Sequence, residues 1–321
     1  MTYRVATITL NPAYDLLGFC PKVELGDVNL VQTNALLPAG KGINVAKVLS
    51  DLGIKLTVGG FLGKENRDGF NLLFESLNVT DKFQTVEGRT RINVKLTEEN
   101  SEVTDLNFSG FTISEQDWQT FVTTSLEWLK EIDMVAISGS LPAGVSLEKF
   151  TEWMKQVKAI CPKVVFDSSR DALDAGLKAN PWLIKPNDKE LEMWVGRKLT
   201  TLSEIKTAAM ELIDGGVENV VISLGSKGAL WVTKHEAWLA KPPKCKVVST
   251  VGAGDSMVGG LMYGLLTNQS IKDTLVFASS VAALSVEQAG VGVSDRQAVT
   301  ATIRFCPLFA ADTDAELADC S

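Results

Sequence analysis

The segment Ser249-Thr250-Val251-Gly252-Ala253-Gly254-Asp255-Ser256 combines residue types that suit phosphoryl transfer. Its two glycines let the backbone approach a ligand closely. The apolar stretch over residues 257–266 predicts a buried helix, whose first backbone N–H groups are unpaired and attract anions. Asp255 then lies where a carboxylate can take a proton from an attacking hydroxyl. The alternative interpretation is a tight turn in which Asp255 only caps the helix.

A second glycine-rich segment, Ala39-Gly40-Lys41-Gly42-Ile43-Asn44, lies near the N-terminus. Its glycines bring backbone close to a ligand, while Lys41 offers a charge and Asn44 a hydrogen-bonding side chain. It is not a P-loop, because the lysine lies between two glycines and no Ser or Thr follows it. A dinucleotide-binding fingerprint is also absent after the first predicted strand. A plain glycine-rich turn before a helix is the alternative.

Charged residues near the N-terminal third suit a sugar phosphate. Asp15 follows the first predicted strand, at the edge where open α/β sheets bind ligands, and can bind sugar hydroxyls or form a turn. Strict alternation predicts that Arg89 and Arg91 share one strand face, where two guanidinium groups can clamp a phosphate. A solvated strand face explains the same two arginines.

Three later strand candidates end in turns that carry polar residues. Ser138 opens one such turn and can line the same cleft. Lys185 follows the second strand and suits nucleotide phosphates. Asn187 and Glu190, three residues apart at a helix start, can hold magnesium directly or through water, or can cap the helix. The turn over residues 223–228 follows the third strand and can take the phosphates or ribose of a nucleotide.

Strands and helices alternate along the chain and must position these residues. Apolar strand candidates lie at residues 4–10, 56–62, 134–137, 164–166, 182–184 and 220–222, and helical patterns at 42–52, 66–77, 115–130, 147–159, 189–195 and 203–213. This order predicts an α/β fold with a doubly wound, mostly parallel sheet flanked by helices. The stretches Asp15–Leu37 and Phe83–Phe108 break the alternation. They predict a small antiparallel β flap, a lid that either closes on substrate or pairs with a second copy of the chain.

The composition excludes several function classes. The chain is 45% hydrophobic and 22% charged, and its net charge of −8 argues against nonspecific nucleic-acid binding. No apolar run reaches the roughly 18 residues of a membrane span, and the N-terminus shows no signal peptide, so we expect a cytoplasmic protein. The one histidine, His235, lies in a polar stretch, which favours a carboxylate base. Five scattered cysteines without a C-x-x-C pair favour free thiols.

In their order and joint occurrence, these segments resemble the ribokinase-like sugar kinases, also called the phosphofructokinase B family. Residues 40–46 and 250–255 look like the two signature patterns of the family, and the resemblance spans about residues 3–305. It implies one ribokinase-like kinase domain over residues 1–309, with lid segments at about 12–38 and 86–110. Residues 310–321 would then form an acidic, poorly ordered tail.

The resemblance is strongest to family members that act on fructose 1-phosphate, through the segments Ala6–Asp15, Gly88–Lys95 and Ser249–Ser256. It implies transfer of a phosphoryl group from ATP, with Mg²⁺, to the C6 hydroxyl, which gives fructose 1,6-bisphosphate and ADP. Asp255 would be the general base, and the backbone N–H groups of Gly252, Ala253 and Gly254 would form the anion hole.

The same resemblance implies the binding residues. Those for the sugar and its phosphate would be Asp15, Gly40, Lys41, Asn44, Arg89, Arg91 and Ser138. Those for ATP would be Lys185, Asn187, Ser223, Gly225, Ser226 and Gly228. Those for the metal would be Asn187 and Glu190, directly or through water.

Two departures and several alternatives bear on this interpretation. Many family members have Asp where this chain has Ser249, so Ser249 receives no role. Lys41 replaces a small residue of members that take uncharged sugars, which favours a phosphorylated substrate and makes a nucleoside kinase a poor fit. Fructose 6-phosphate or tagatose 6-phosphate kinase chemistry and a non-catalytic sugar-phosphate sensor are the alternatives. We expect a homodimer through the lid and no nucleic-acid or membrane partner.

Overall fold

The computed structural model describes residues 3–100, 102–288, 290–293 and 296–311. Over these residues the strands are β1 (Val5–Thr9), β2 (Ala13–Phe19), β3 (Gln32–Ala39), β4 (Leu56–Gly63), β5 (Thr80–Val86), β6 (Arg91–Thr97), β7 (Val103–Asn107), β8 (Met134–Ser138), β9 (Lys163–Asp167), β10 (Leu183–Ile184), β11 (Asn219–Ser223), β12 (Ala229–Val232), β13 (Ala237–Ala240) and β14 (Leu308–Ala310). The α-helices are α1 (Lys41–Asp51), α2 (Asp68–Leu77), α3 (Glu115–Leu129), α4 (Leu147–Ile160), α5 (Arg170–Leu177), α6 (Asp188–Val195), α7 (Leu202–Asp214), α8 (Ala253–Leu266), α9 (Ile271–Ser285) and α10 (Arg296–Ile303).

A ten-stranded sheet has the order β14-β13-β12-β11-β10-β9-β8-β1-β4-β5. The seven strands from β11 to β5 run parallel, and β12, β13 and β14 complete the sheet in antiparallel pairs. Helices α3 to α7 contribute buried residues to the core on one face, while α1, α2, α8 and α9 contribute to the core on the other. The predicted doubly wound α/β fold is therefore confirmed.

The lid is a separate sheet of four strands in the order β3-β2-β6-β7. Its two outer pairs are antiparallel, as predicted, but the central strands β2 and β6 run parallel. The prediction that the second stretch of the lid begins at Phe83 is wrong, because residues 83–86 belong to β5, which runs parallel to β4 in the main sheet. Phe83 and Val86 are buried there, and the Phe83 ring stacks on Phe74 of α2. Burial of this aromatic pair packs residues 83–86 against α2, beside the main sheet.

The C-terminal elements differ from the sequence prediction. The hairpin of β12 and β13 was not predicted, and neither were α5, α9 and α10. The predicted tail included Ala310, but this residue ends β14 and pairs with Trp238 of β13. Residues 312–321, which make up most of that predicted tail, lie outside the described residues. Within the part of the chain that the structure describes, no helix has the length and apolar character needed to cross a membrane.

Candidate active site

Asp255 lies in the first turn of α8, where its side chain is buried and its residue is 7% exposed. Its Oδ2 accepts a hydrogen bond of 2.8 Å from Nδ2 of Asn44 on α1. Burial, followed by the negative charge of Asp167, raises the pKa of Asp255 to about 6. Such a carboxylate is mostly ionised at pH 7 and is basic enough to accept a proton.

The N-terminus of α8 is capped by Gly252 and not by Asp255, so the alternative interpretation of Asp255 as a helix cap is wrong. Gly252 has a φ of 78°, in the left-handed region that favours glycine. A Cβ atom there would lie 2.1 Å from Cγ2 of Val291, so glycine is required for space as well. The N–H groups of Gly252, Ala253 and Gly254 belong to the turn that opens the helix, a position that suits an anion, and that of Ala253 donates to the Thr250 carbonyl at 3.4 Å.

Asp167, the last residue of β9, is a site residue that the sequence analysis missed. Its side chain is 1% exposed, and its Oδ2 lies 3.3 Å from Nζ of Lys41 while its Oδ1 lies 3.5 Å from Nζ of Lys185. Burial alone would raise the pKa of Asp167, but the two lysines outweigh it and lower that pKa. A signal was available, because Asp167 directly follows the apolar run 164–166 at the carboxyl end of a parallel strand.

The two lysines around Asp167 face the start of α8. Burial opposes the charge of Lys41, but Asp167, Asp255 and Glu190 together raise its pKa above the ordinary value. Lys185 is 4% exposed, and its Nζ lies 3.4 Å from the position that a Cβ on Gly254 would occupy. Because Gly254 has no side chain, the space between the N-terminus of α8 and the ammonium group of Lys185 stays open. The site combines a carboxylate of raised pKa with two lysines and an N-terminal helix turn.

Asn187 and Glu190 form a reciprocal cap at the N-terminus of α6, which is the helix-cap alternative considered for this pair. The Glu190 N–H donates to Oδ1 of Asn187 at 2.8 Å, and the Asn187 N–H donates to Oε2 of Glu190 at 2.9 Å. The other carboxylate oxygen of Glu190 takes no part in this cap. Among the described residues, no three or more His, Cys, Asp or Glu side chains cluster as metal ligands.

The turn that follows β11 lies beside Asn187, which forms an isolated β-bridge with Ser223. Gly225, Ser226 and Lys227 form a short 3₁₀ turn after it. At Gly228 a Cβ would lie 2.0 Å from the carbonyl oxygen of Ala240. The close approach of β13 thus explains this glycine without any ligand.

Asp15 lies on β2 of the lid and is held by two side chains of β6. Its Oδ2 lies 3.1 Å from Nζ of Lys95, and its Oδ1 accepts a hydrogen bond of 3.2 Å from Nδ2 of Asn93. Burial lowers the pKa of Lys47 on α1, and the negative charge of Asp15 opposes this shift. The Nζ of Lys47 donates a hydrogen bond of 2.9 Å to the Pro38 carbonyl. The charge of Asp255 opposes the same shift. Lys47 of α1 therefore interacts electrostatically with both the lid carboxylate and the carboxylate of α8.

The two arginines predicted to share a strand face are separated in the structure. Arg91 begins β6 and donates to the carbonyls of Asn11 and Pro12 at 3.1 and 3.3 Å. Burial lowers the pKa of Arg91, although Asp15 opposes this shift. Arg89 precedes the strand, its side chain is 63% exposed, and its Nε lies 3.4 Å from Oε2 of Glu65. The alternation argument fails because β6 begins two residues after Arg89.

Gly40 and Ser138 complete the region around α1. Gly40 joins β3 of the lid to α1, and its φ is 143°. Ser138 ends β8 and is buried, and its Oγ has no hydrogen-bond partner among the described residues. The turn after it is joined to the end of β1 by a hydrogen bond of 3.1 Å from Asn11 to Ser140.

The chain is similar to a known protein family over most of its length. The family model for pfkB family carbohydrate kinases matches residues 6–298. The chain is 62% identical over 301 residues to 1-phosphofructokinase of Escherichia coli strain K12, with 94% of this chain and 96% of that protein covered. It is 49% identical to 1-phosphofructokinase of Vibrio cholerae, with 92% and 94% covered.

Solved structures show the same fold. The crystal structure of phosphofructokinase-2 from Escherichia coli in complex with fructose-6-phosphate has a TM-score of 0.84 and 28% identity, with 94% of this chain and 99% of that chain covered. Ribokinase from Thermotoga maritima has a TM-score of 0.77 at 21% identity, with 94% and 99% covered, and this likeness concerns the fold alone.

Proposed function

The chain belongs to the pfkB family of carbohydrate kinases, and we propose that it transfers a phosphoryl group from ATP to the C6 hydroxyl of fructose 1-phosphate. The products are fructose 1,6-bisphosphate and ADP. Relatives named 1-phosphofructokinase, matched at up to 62% identity over nearly their whole length, support this substrate over its 6-phosphate isomers. The observation that carries the chemistry is the buried Asp255, with its raised pKa, at the N-terminus of α8.

In the proposed reaction, Asp255 is the general base. It takes the proton of the C6 hydroxyl while that oxygen forms a bond with the γ-phosphorus, and the bond to the ADP oxygen breaks in line. The hydrogen bond from Asn44 orients the carboxylate. The N–H groups of Gly252, Ala253 and Gly254 stabilise the charge that develops on the transferring phosphoryl group.

We assign the ATP side of the site to the carboxyl ends of β10 and β11. The proposed contacts to the nucleotide come from Lys185, Asn187, Ser223, Gly225, Ser226 and Gly228. Oxygen ligands suit Mg²⁺, and the carboxylate oxygen of Glu190 outside the helix cap, together with Asn187, would hold it directly or through water. When bound, Mg²⁺ neutralises phosphate charge during the transfer.

We assign the sugar side to the lid and α1. Asp15, Gly40, Asn44 and Ser138 would hold the sugar, and Lys41 and Arg91 its phosphate. Arg89 would join them only by leaving its surface pair with Glu65. Closure of the lid would exclude water and limit hydrolysis of ATP.

We further propose that two copies of the chain pair through the lid. Leu36, Leu16, Val94 and Leu106 lie in register across the four strands, on the face of the sheet opposite to Asp15. Leu36 and Leu106 are half-exposed, and an apolar row of this kind favours burial against a partner. A solved relative at 30% identity is described as a tetrameric inhibited form, so assembly is known among similar proteins.

A coupled assay of ADP release tests the proposed reaction. Fructose 1-phosphate, fructose 6-phosphate, tagatose 6-phosphate and free fructose would be offered in turn with Mg-ATP. We expect the highest kcat/KM with fructose 1-phosphate. A higher value with a 6-phosphate would contradict the substrate, and tight sugar-phosphate binding without any ADP release would favour the sensor alternative.

A further inference from the structure

One face of the lid carries a row of charged and polar side chains that was not predicted from the sequence. Arg91, Asn93 and Lys95 occupy alternate positions of β6 and therefore share that face. Strand β2 runs beside β6 with Asp15 opposite Asn93. The ion pair of Asp15 with Lys95 and its hydrogen bond with Asn93 confirm that these side chains point the same way.

Lys95 and Asp15 form the partly buried centre of this face, where little water reaches them. The side chains of Lys95 and Asp15 are 15% and 16% exposed, so their charges are weakly screened. The two cations Arg91 and Lys95 share this face with two carboxylates, Asp15 and Asp105, so its formal charges balance. Asp105 of β7 stands opposite Lys95 in the register and lies at the edge of the sheet.

Asp15 creates an electrostatic problem for a phosphorylated substrate. A carboxylate that binds sugar hydroxyls repels the phosphate dianion carried by the same sugar. Lys95, at 3.1 Å from that carboxylate, offsets its charge. The binding affinity of a neutral sugar depends much less on this compensation of charge.

We propose that Lys95 determines specificity for a phosphorylated sugar, with Arg91 as the second cation of the lid face. Lys95 thereby takes the place that the alternation argument gave to Arg89, which lies outside the strand and is mostly exposed. This inference rests on the proposed function for the identity of its substrate. Selection of the charged sugar depends on Lys95 more than on Arg89.

The test compares Lys95→Met, Lys95→Gln and Lys95→Arg with the wild-type protein. The same ADP-release assay gives kcat/KM for fructose 1-phosphate and the inhibition constant of free fructose as a neutral competitor. We expect both neutral variants to lose about tenfold or more in kcat/KM, as for loss of a charged contact, with the inhibition constant of fructose within about twofold. Lys95→Arg should restore most of the loss.

Two further variants serve as comparisons. A thermal melting curve of each variant checks that it is folded. Lys82→Met removes an exposed lysine of β5 outside the lid and should leave both readouts unchanged. Arg89→Met should cost less than Lys95→Met. Equal weakening of the neutral and charged sugars in folded Lys95 variants would overturn the inference, as would a larger loss for Arg89→Met. If the wild-type protein itself does not turn over fructose 1-phosphate, the proposed function fails instead.

Discussion

At the scale of single residues, the site depends on how one buried carboxylate changes the acidity of another. Asp167 is compensated by Lys41 and Lys185 and has a lowered pKa, whereas Asp255 is buried beside it and has a raised pKa. Two carboxylates whose pKa values are pushed apart commonly divide charge stabilisation and proton transfer between them. We therefore expect Asp167 to act on the proposed reaction through Lys41, Lys185 and Asp255.

The raised pKa of Asp255 predicts the pH dependence of turnover. A general base works when deprotonated, so kcat/KM should fall as the pH drops below about 6, the pKa of this group. The measurement is kcat/KM for fructose 1-phosphate from pH 5 to pH 8, with product formation followed directly. An acidic limb centred near the ordinary pKa of an aspartate would contradict the assignment.

Replacing Asp167 should shift the acidic limb of the pH profile of kcat/KM. In Asp167→Asn the negative charge that raises the pKa of Asp255 is gone, while Lys41 and Lys185, which lower it, remain. We expect the acidic limb of the pH profile to shift to lower pH. Asp174→Asn, at an exposed position on the following helix, is the control and should keep the wild-type profile. An unmoved limb in folded Asp167→Asn would refute this coupling.

At the scale of elements, the site depends on the conformation with which α8 begins. Gly252→Ala would place a Cβ at a left-handed φ and against Val291, so we expect a loss of about 1–3 kcal/mol in the free energy of unfolding. Chemical denaturation measures this loss. Gly290→Ala, where a Cβ meets open space among the described atoms, should change stability by less than about 0.5 kcal/mol. Equal stability of the two variants would contradict the proposed constraint.

The elements also show what the sequence can and cannot predict. Apolar runs and helical spacing predict β1, α1, β4, α3 and β8, because these elements bury continuous or periodic apolar faces. The same patterns cannot predict that β2 and β6 pair in parallel, since that pairing joins segments about 80 residues apart. They also miss the start of β6, and with it the separation of Arg89 from Arg91. Asp167 was missed although its position at a strand end was visible.

At the scale of the whole molecule, the lid serves both the site and the proposed assembly. Its polar face holds Asp15 and Lys95, and its other face presents the row that includes Leu36 and Leu106. Under the two proposals, opposite faces of one thin sheet would bind substrate and the second copy, which would couple assembly to substrate binding.

Charged substitutions in the apolar row should weaken assembly. We expect Leu36→Glu and Leu106→Glu to shift the protein towards monomers in size-exclusion chromatography with light scattering, because the carboxylate would have to be buried at the interface. Leu72→Glu, at an exposed leucine of α2, is the matched control and should leave the mass unchanged. A wild-type monomer at micromolar concentration, or variants that keep the wild-type mass, would contradict the proposed interface.

The most direct test of the central claim is the turnover of Asp255→Asn with fructose 1-phosphate and Mg-ATP. The amide keeps the size of the side chain but cannot accept the proton of the C6 hydroxyl. We expect kcat to fall by about 10²–10⁴-fold, the usual contribution of a general base, while the melting temperature and the affinity for ATP stay close to wild type. A folded Asp255→Asn protein with near-normal kcat would contradict the account.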